Sequence, residues 1–263
     1  MKIAGYLKTS LIEWPTKIAS VIFVPGCNFA CPFCHNRDLV KINSKKLKHH
    51  SEKIVLTDLK RRSKWIDGVA VTGGEPTLQP DLLGFSTKVK ALGFKIMIET
   101  NGSRPEVIKK LLEAKLVDFW AMDYKTTFSD YENVVGIKSG GQSDPGSKSA
   151  DDPGSLAAGI KESMRLIIDS GLPFEFRTTI VPTIHDEKVL LTMARDLKNL
   201  FAGCGRKIRD FSWVLQSFQP KNCLDPGFNE IEPFAVSQLK AFKKMISEMI
   251  PKTKLRGVGG DFI

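Results

Sequence analysis

Six short apolar runs recur along the chain, at residues 18–24, 68–71, 94–98, 117–122, 174–181 and 210–215. They are rich in β-branched and aromatic residues and lack a polar–apolar alternation. Between and after them lie longer segments, 51–65, 81–92, 105–115, 156–170, 187–201 and 233–249, where apolar positions return at helical spacing. Pro80 and Pro105 stand at helix starts, and Gly93 and Gly171 at helix ends. Residues 254–258 offer one further strand. Strand-then-helix repetition, with strands apolar on both faces, predicts an α/β fold whose parallel sheet is covered by helices. Six units are too few for a closed eight-fold barrel. The expectation is a partial (βα)6 barrel forming a single domain over residues 1–263, with a flat doubly wound sheet as the alternative. One stretch breaks the rhythm. Residues 138–155 hold four Gly, five Ser and two Pro, with Asp-Pro-Gly-Ser occurring twice, and read as a mobile insertion loop.

Directly after the first apolar run stand three cysteines, Cys27-x3-Cys31-x2-Cys34. Three thiolates at that spacing fit three corners of a [4Fe-4S] cluster and leave one iron open. An open coordination position separates a catalytic metal site from a structural one. Two plainer readings compete. Structural zinc takes four ligands from two separated pairs, and His35 is too close to Cys34 to complete such a set. A disulfide needs an oxidising compartment, whereas the N-terminus, Met1-Lys2-Ile3-Ala4-Gly5, lacks an apolar leader, so a cytoplasmic location with reduced thiols is expected. Cys204 and Cys223 have no partner at ligand spacing and read as ordinary buried or partly buried thiols.

Ligands of parallel α/β folds bind at the carboxyl ends of the strands. The conspicuous polar residues fall at those ends. Thr72-Gly73-Gly74-Glu75-Pro76 follows the second run, Glu99-Thr100-Asn101-Gly102 the third and Asp123-Tyr124-Lys125 the fourth; Arg177 lies in the fifth and Gln216 ends the sixth. Any one of these could be a plain turn; six segments meeting at one mouth argue for a site. Glycines allow close backbone approach to a ligand amine, and Glu75 adds an acceptor. Arg177 and Lys125 can hold a carboxylate. Glu99, Asn101 and Asp123 offer acceptors to ribose hydroxyls or a cation, and Phe33 is placed either to stack on a purine or to pack in the core. An amino acid joined to a nucleoside, S-adenosylmethionine (SAM), fits this set.

Size and charge add a partner. With 263 residues and 42% hydrophobic content the chain can bury a substantial core, and no apolar run approaches the ~20 residues of a membrane span. The net charge of +10 is uneven: residues 41–64 carry +7 and residues 238–256 carry +5. Such patches suit an acidic protein or nucleic acid. No aromatics interleave them as a base-stacking surface would need, so a protein partner ranks first.

With its three cysteines and the aromatic Phe33 before the last, the chain resembles the radical SAM enzymes. Gly73-Gly74-Glu75-Pro76 matches that family's motif for the methionine amino group. Cys34-His35-Asn36-Arg37-Asp38, with Thr9-Ser10-Leu11-Ile12-Glu13-Trp14-Pro15, is most similar to the glycyl-radical activating enzymes, above all those of anaerobic ribonucleoside-triphosphate reductase. The resemblance covers most of residues 5–220, outside the 138–155 loop. It implies a three-cysteine [4Fe-4S] cluster at Cys27, Cys31 and Cys34. It further implies SAM contacts among Phe33, His35, Gly73, Gly74, Glu75, Glu99, Asn101, Asp123, Lys125, Arg177 and Gln216. The implied reaction is reductive cleavage of SAM to a 5′-deoxyadenosyl radical that takes hydrogen from a glycine of a partner enzyme, with flavodoxin or ferredoxin as electron donor. The chain departs from the family where Glu99 replaces an aspartate, where Glu13-Trp14-Pro15-Thr16 replaces Asp-Gly-Pro-Gly, and where Gln216 and Phe218 stand in place of a histidine. The alternatives are activation of a pyruvate formate-lyase type enzyme, or radical chemistry on a small molecule or RNA. From a different class comes a non-enzymatic iron–sulfur or zinc interaction protein.

Overall fold

The structure, a computed structural model, describes residues 1–40, 47–136, 152, 154–208 and 211–258. Its one sheet has eight strands: β1 Gly5–Ser10, β2 Ala19–Val24, β3 Gly68–Gly73, β4 Lys95–Thr100, β5 Phe119–Asp123, β6 Phe174–Ile180, β7 Ser212–Ser217 and β8 Thr253–Arg256. Spatial order follows chain order; β1 pairs with β2 antiparallel and every other pair is parallel. The helices are α1 Arg37–Val40, α2 Glu52–Arg61, α3 Leu82–Ala91, α4 Pro105–Glu113, α5 Tyr131–Val135, α6 Leu156–Asp169, α7 Glu187–Gly203 and α8 Val236–Ser247. The six expected strand–helix units thus run from β2 to α8, and β8 is the further strand anticipated at 254–258. β1 was not anticipated. Its residues, Gly-Tyr-Leu-Lys-Thr-Ser, are mostly half-exposed or exposed, because an edge strand has one neighbour and little need for apolar side chains. The 138–155 insertion lies outside the described residues, except 152, 154 and 155.

Helix starts follow local chemistry. Ser155 Oγ accepts from Ala158 N (3.1 Å) at the head of α6, and Asp186 Oδ1 accepts from Val189 N (2.7 Å) at the head of α7. Each satisfies an amide the helix leaves unpaired. Pro105 occupies the first turn of α4, as expected.

Successive strand side chains point to opposite faces, and the two faces differ sharply. One set (Val69, Val71, Ile96, Ile98, Trp120, Met122, Phe176, Trp213, Leu215) packs with Leu59, Phe85, Leu111, Met164 and Leu197 of the helices. The alternate set on β2–β5 is small, Ala19, Val21, Ala70, Met97 and Ala121, and is plugged by Trp14 of the β1–β2 connection. A Cβ on Gly68 would lie 2.6 Å from the Trp14 ring, so the plug needs glycine there.

Cross-strand contacts decide between flat sheet and barrel. Glu13, which follows β1, has its carboxylate 3.9 Å from Arg177 of β6. With strands about 4.8 Å apart, five strand spacings would separate them in a flat sheet by more than 20 Å. The sheet is therefore curled, and since no pairing of β1 with β8 occurs among the described residues, the barrel is partial.

Candidate active site

The cysteine loop is held by main-chain bonds. Gly26 N donates to Leu39 O (2.6 Å) and Cys27 N to Val40 O (3.1 Å), so α1 folds back beneath the loop. Ala30 N donates to Val135 O (2.8 Å), Cys34 N to Cys31 O (3.0 Å) and Asp225 N to Pro32 O (2.9 Å). Cys31 is buried; Cys27 and Cys34 are partly so. Burial pushes the Cys27 thiol up to about 12, the Cys31 thiol to about 11 and the Cys34 thiol upward, while Lys125 is the cation that opposes this at all three. Metal binding must then displace thiol protons, and Lys125 is placed to compensate the thiolates. Among the described residues no three His, Cys, Asp or Glu side chains gather closely enough to hold a single ion. A mononuclear zinc site would need such a group, whereas a cubane spreads its thiolates over separate irons. The donor set fits the cluster.

Beside this loop the ends of β2 and β3 are fused. Gly74 N donates to Val24 O (2.8 Å) and Glu75 N to Gly26 O (2.7 Å). A Cβ on Gly74 would stand 2.1 Å from Gly26 O; one on Gly73, whose φ is +122°, would stand 2.4 Å from Val24 N. Only glycine permits this approach. Glu75 is fully buried. Its carboxylate accepts from Thr77 N (3.0 Å), Thr77 Oγ1 (2.5 Å), Thr100 Oγ1 (2.7 Å) and Asn101 N (2.7 Å). The acceptor expected for a ligand amine is thus a brace that joins the end of β3 to the end of β4. Asn101 Nδ2 in turn donates to Asn28 Oδ1 (3.0 Å) and lies 3.8 Å from Cys27 Sγ.

Deeper in the barrel lies a charged array. Arg177 donates from Nε to Glu175 (2.6 Å), from Nη1 to Glu99 (2.5 Å) and from Nη2 to Glu13 O (3.3 Å). Thr72 Oγ1 donates to the other oxygen of Glu99 (2.6 Å), and Arg256 Nη2 donates to Glu175 (3.0 Å). Arg177 does hold carboxylates, but they belong to the chain itself. Three carboxylates face two guanidinium groups, so full ionisation would leave one negative charge in excess. Burial, then repulsion from Glu99 and a hydrogen bond to it, push Glu13 up to about 8. Burial also raises Glu99, but Arg177 together with hydrogen bonds from Glu13 and Thr72 holds that carboxyl below its ordinary value. Glu13 therefore carries the proton.

Lys125 is likewise paired, with Asp123 (2.8 Å). Burial would lower its pKa, yet Asp123 and Cys31 raise it well above the ordinary range. Beneath it, His185 Nδ1 accepts from Val181 N (3.0 Å), which leaves Nε2 to donate to Lys125 O (2.9 Å). Burial lowers His185 to about 4, so it stays neutral.

A cavity of about 390 Å³ gathers these parts. It is lined by Cys27, Cys31 and Cys34, and by Phe33, His35, Gly73, Gly74, Glu75, Glu99, Asn101, Asp123, Lys125, Arg177 and Gln216. Every site residue picked from the sequence borders one space. Phe33 is buried with Phe228 at 6.5 Å between ring centroids. His35 has Nδ1 2.9 Å from Lys221 O and its ring 6.2 Å from Phe218. Thr179, Gln219 and Arg256 line the cavity too and were missed, as was Glu175, which lies behind Arg177. Glu175 and Arg177, charged residues two apart inside an apolar strand, were a readable signal of an inward polar face.

The radical SAM superfamily model matches residues 21–195. The chain belongs to the radical SAM superfamily, and its cofactors are a [4Fe-4S] cluster and SAM. A Methanocaldococcus jannaschii protein provisionally named a glycyl-radical enzyme activating enzyme is 29% identical, over 99% of this chain and 98% of its own length. The pyruvate formate-lyase-activating enzyme of Clostridium pasteurianum is 25% identical over 91% of this chain and 94% of its own. Streptococcus suis SuiB bound to SAM shares the fold with a TM-score of 0.61 at 12% identity, over 92% of this chain and 52% of that one. No helix among the described residues is long and apolar enough to cross a membrane.

Proposed function

We propose that this enzyme activates a glycyl-radical enzyme, that an anaerobic ribonucleotide reductase is the partner, and that flavodoxin or ferredoxin supplies the electron. The observation that carries the activase reading is the end-to-end similarity to a protein of that provisional name. The match of residues 9–15 and 34–38 to reductase-activating proteins supports the choice of partner. Pyruvate formate-lyase is the second reading, favoured by the Clostridium relative. The five cysteines are free of disulfides, which supports a cytoplasmic setting.

When bound, the cluster and SAM would supply the one-electron reduction and hydrogen-atom abstraction that a glycine Cα radical requires. The chain's own task is to bind, orient and exclude water. Cys27, Cys31 and Cys34 would hold three irons. The Gly73–Gly74 main chain would meet the methionine amine, with Glu75 fixing Asn101 and Thr100 rather than the ligand itself. Lys125 would balance the thiolates and meet the ligand carboxylate beside Asp123. Phe33, His35 and Gln216 would border the adenosine. Glu99 and Arg177, tied to each other, would set the position of Thr72. The test is anaerobic incubation of reconstituted protein with SAM, reductant and each candidate partner. Release of 5′-deoxyadenosine with a glycyl radical on the reductase is expected. 5′-Deoxyadenosine without a radical on any glycyl-radical enzyme would sink the activase reading.

A further inference from the structure

The outward face of α2 carries exposed apolar side chains among basic ones. Val55 and Leu59 bury one side of this helix. On the other side Ile54 is 70% exposed, and Trp65, in the turn after the helix, is 75% exposed. The turn is defined: Trp65 N donates to Arg62 O (2.8 Å). Thr57 and Arg61 lie between the two at helical spacing. Lys53, Lys60 and Lys64 are exposed, and among the described residues none of them forms an ion pair. The acids are spent: Glu52 pairs with the N-terminal amine and Lys88, and Asp58 with Tyr6, Arg61 and Arg62. Residues 47–65 keep a charge of +4.

We infer that this face is a docking surface for an acidic protein, with Trp65 and Ile54 as its apolar anchors. A solvated helix face does not need two large apolar groups among uncompensated lysines, whereas an interface core with a basic rim does. Charge selects the occupant. Two copies of a +4 face repel, so a second copy is disfavoured. One indole without neighbouring aromatics is a poor platform for bases. Resting on the activase reading, the occupant is the glycyl-radical enzyme. Trp65 lies just before Gly68, the first residue of β3, while Gly73 and the cluster loop lie at the other end of that strand. Five residue steps separate those ends by about 17 Å, so an occupant anchored at Trp65 must span that distance to reach the cavity. A large protein substrate can span it, because Tyr6 of β1 donates to Asp58 (2.9 Å) and the chain beyond β1, at Ile12 and Glu13, borders the cavity.

The test compares wild type with Trp65→Ala and with Lys53→Glu/Lys60→Glu/Lys64→Glu, using each purified glycyl-radical enzyme of the source genome. Both variants should release 5′-deoxyadenosine at the wild-type rate without partner. Both should need at least tenfold more partner for half-maximal glycyl radical, and the lysine variant should lose the salt dependence of that value. Thermal melting checks that they fold. An unchanged half-maximal concentration overturns the docking surface alone. Wild type that self-associates through this face, or binds a labelled single-stranded oligonucleotide through it, also overturns it. A wild type that cleaves SAM but radicalises no partner removes the activase reading, and this occupant with it.

Discussion

The two faces of the sheet are built from alternate residues of the same strands, yet they fail in opposite ways. The helix-facing side is a continuous apolar core in which Trp120, Phe176, Trp213 and Leu215 are essentially inaccessible. Its energy is spread over many contacts, so each loss is local. The barrel-facing side is small and apolar under Trp14, then charged above it, where Glu13, Glu99, Glu175, Arg177 and Arg256 hold one another. Its groups are interdependent: removing one leaves a buried partner uncompensated. The outer face specifies the fold, and the inner face specifies what can be bound inside it.

The comparison breaks most completely at the cysteines. Serine at Cys27, Cys31 or Cys34 should abolish iron–sulfur incorporation, read as iron and sulfide content after anaerobic reconstitution, while thermal stability of the apoprotein stays near wild type. Loss of apoprotein folding would show that the loop is structural instead. Next comes Arg177→Met, which strands Glu99 and leaves Glu175 with Arg256 alone. It should cost about 3–5 kcal/mol in chemical denaturation, and adding Glu99→Gln and Glu175→Gln should recover most of it. No recovery would mean that packing, not charge, holds the array. On the outer face Phe176→Ala should cost a similar 3–5 kcal/mol, but no second substitution of a charged residue should rescue it. Trp120→Phe should be far milder, about 1 kcal/mol or less. Among the described residues the indole N–H of Trp120 has no hydrogen-bond partner, so its removal offsets part of the lost packing.

The same contrast explains what could be read from the sequence. Outer-face residues dominate each strand, and inner positions such as Ala70 and Ala121 are small but still apolar, so β2 to β7 read as continuous apolar runs and were placed within about two residues. The polar exceptions at strand ends, from Thr72 to Glu75, Glu99 to Asn101 and Asp123 to Lys125, marked the cavity wall for the same reason. β1 was illegible because an edge strand buries almost nothing; only Ser10 of its six residues is buried. The pairings inside the site were also illegible. Spacing places Arg177 and Glu75 at the mouth, but only the curl of the sheet brings Glu13 and Glu99 to one guanidinium, and only the fused ends of β2 and β3 turn Glu75 towards Asn101. Contacts between segments nearly eighty residues apart leave no local trace.

A pH dependence isolates the odd proton. Glu13 is raised to about 8 from an ordinary carboxyl value, so between the unfolded and folded values the folded chain holds a proton that the unfolded chain has lost. By linkage, stability then falls as pH rises through that window, and the cost is complete above pH 8. Glu13→Gln keeps the hydrogen-bonding shape without the titration. It should match wild type near pH 5 and exceed it by roughly 1–2 kcal/mol at pH 9, an effect discounted for the partial exposure of the loop. Urea denaturation at the two pH values reads the difference directly. Parallel pH profiles for the two proteins would mean that Glu13 is ionised in the barrel, and that the array balances its third negative charge by some route other than the shared proton.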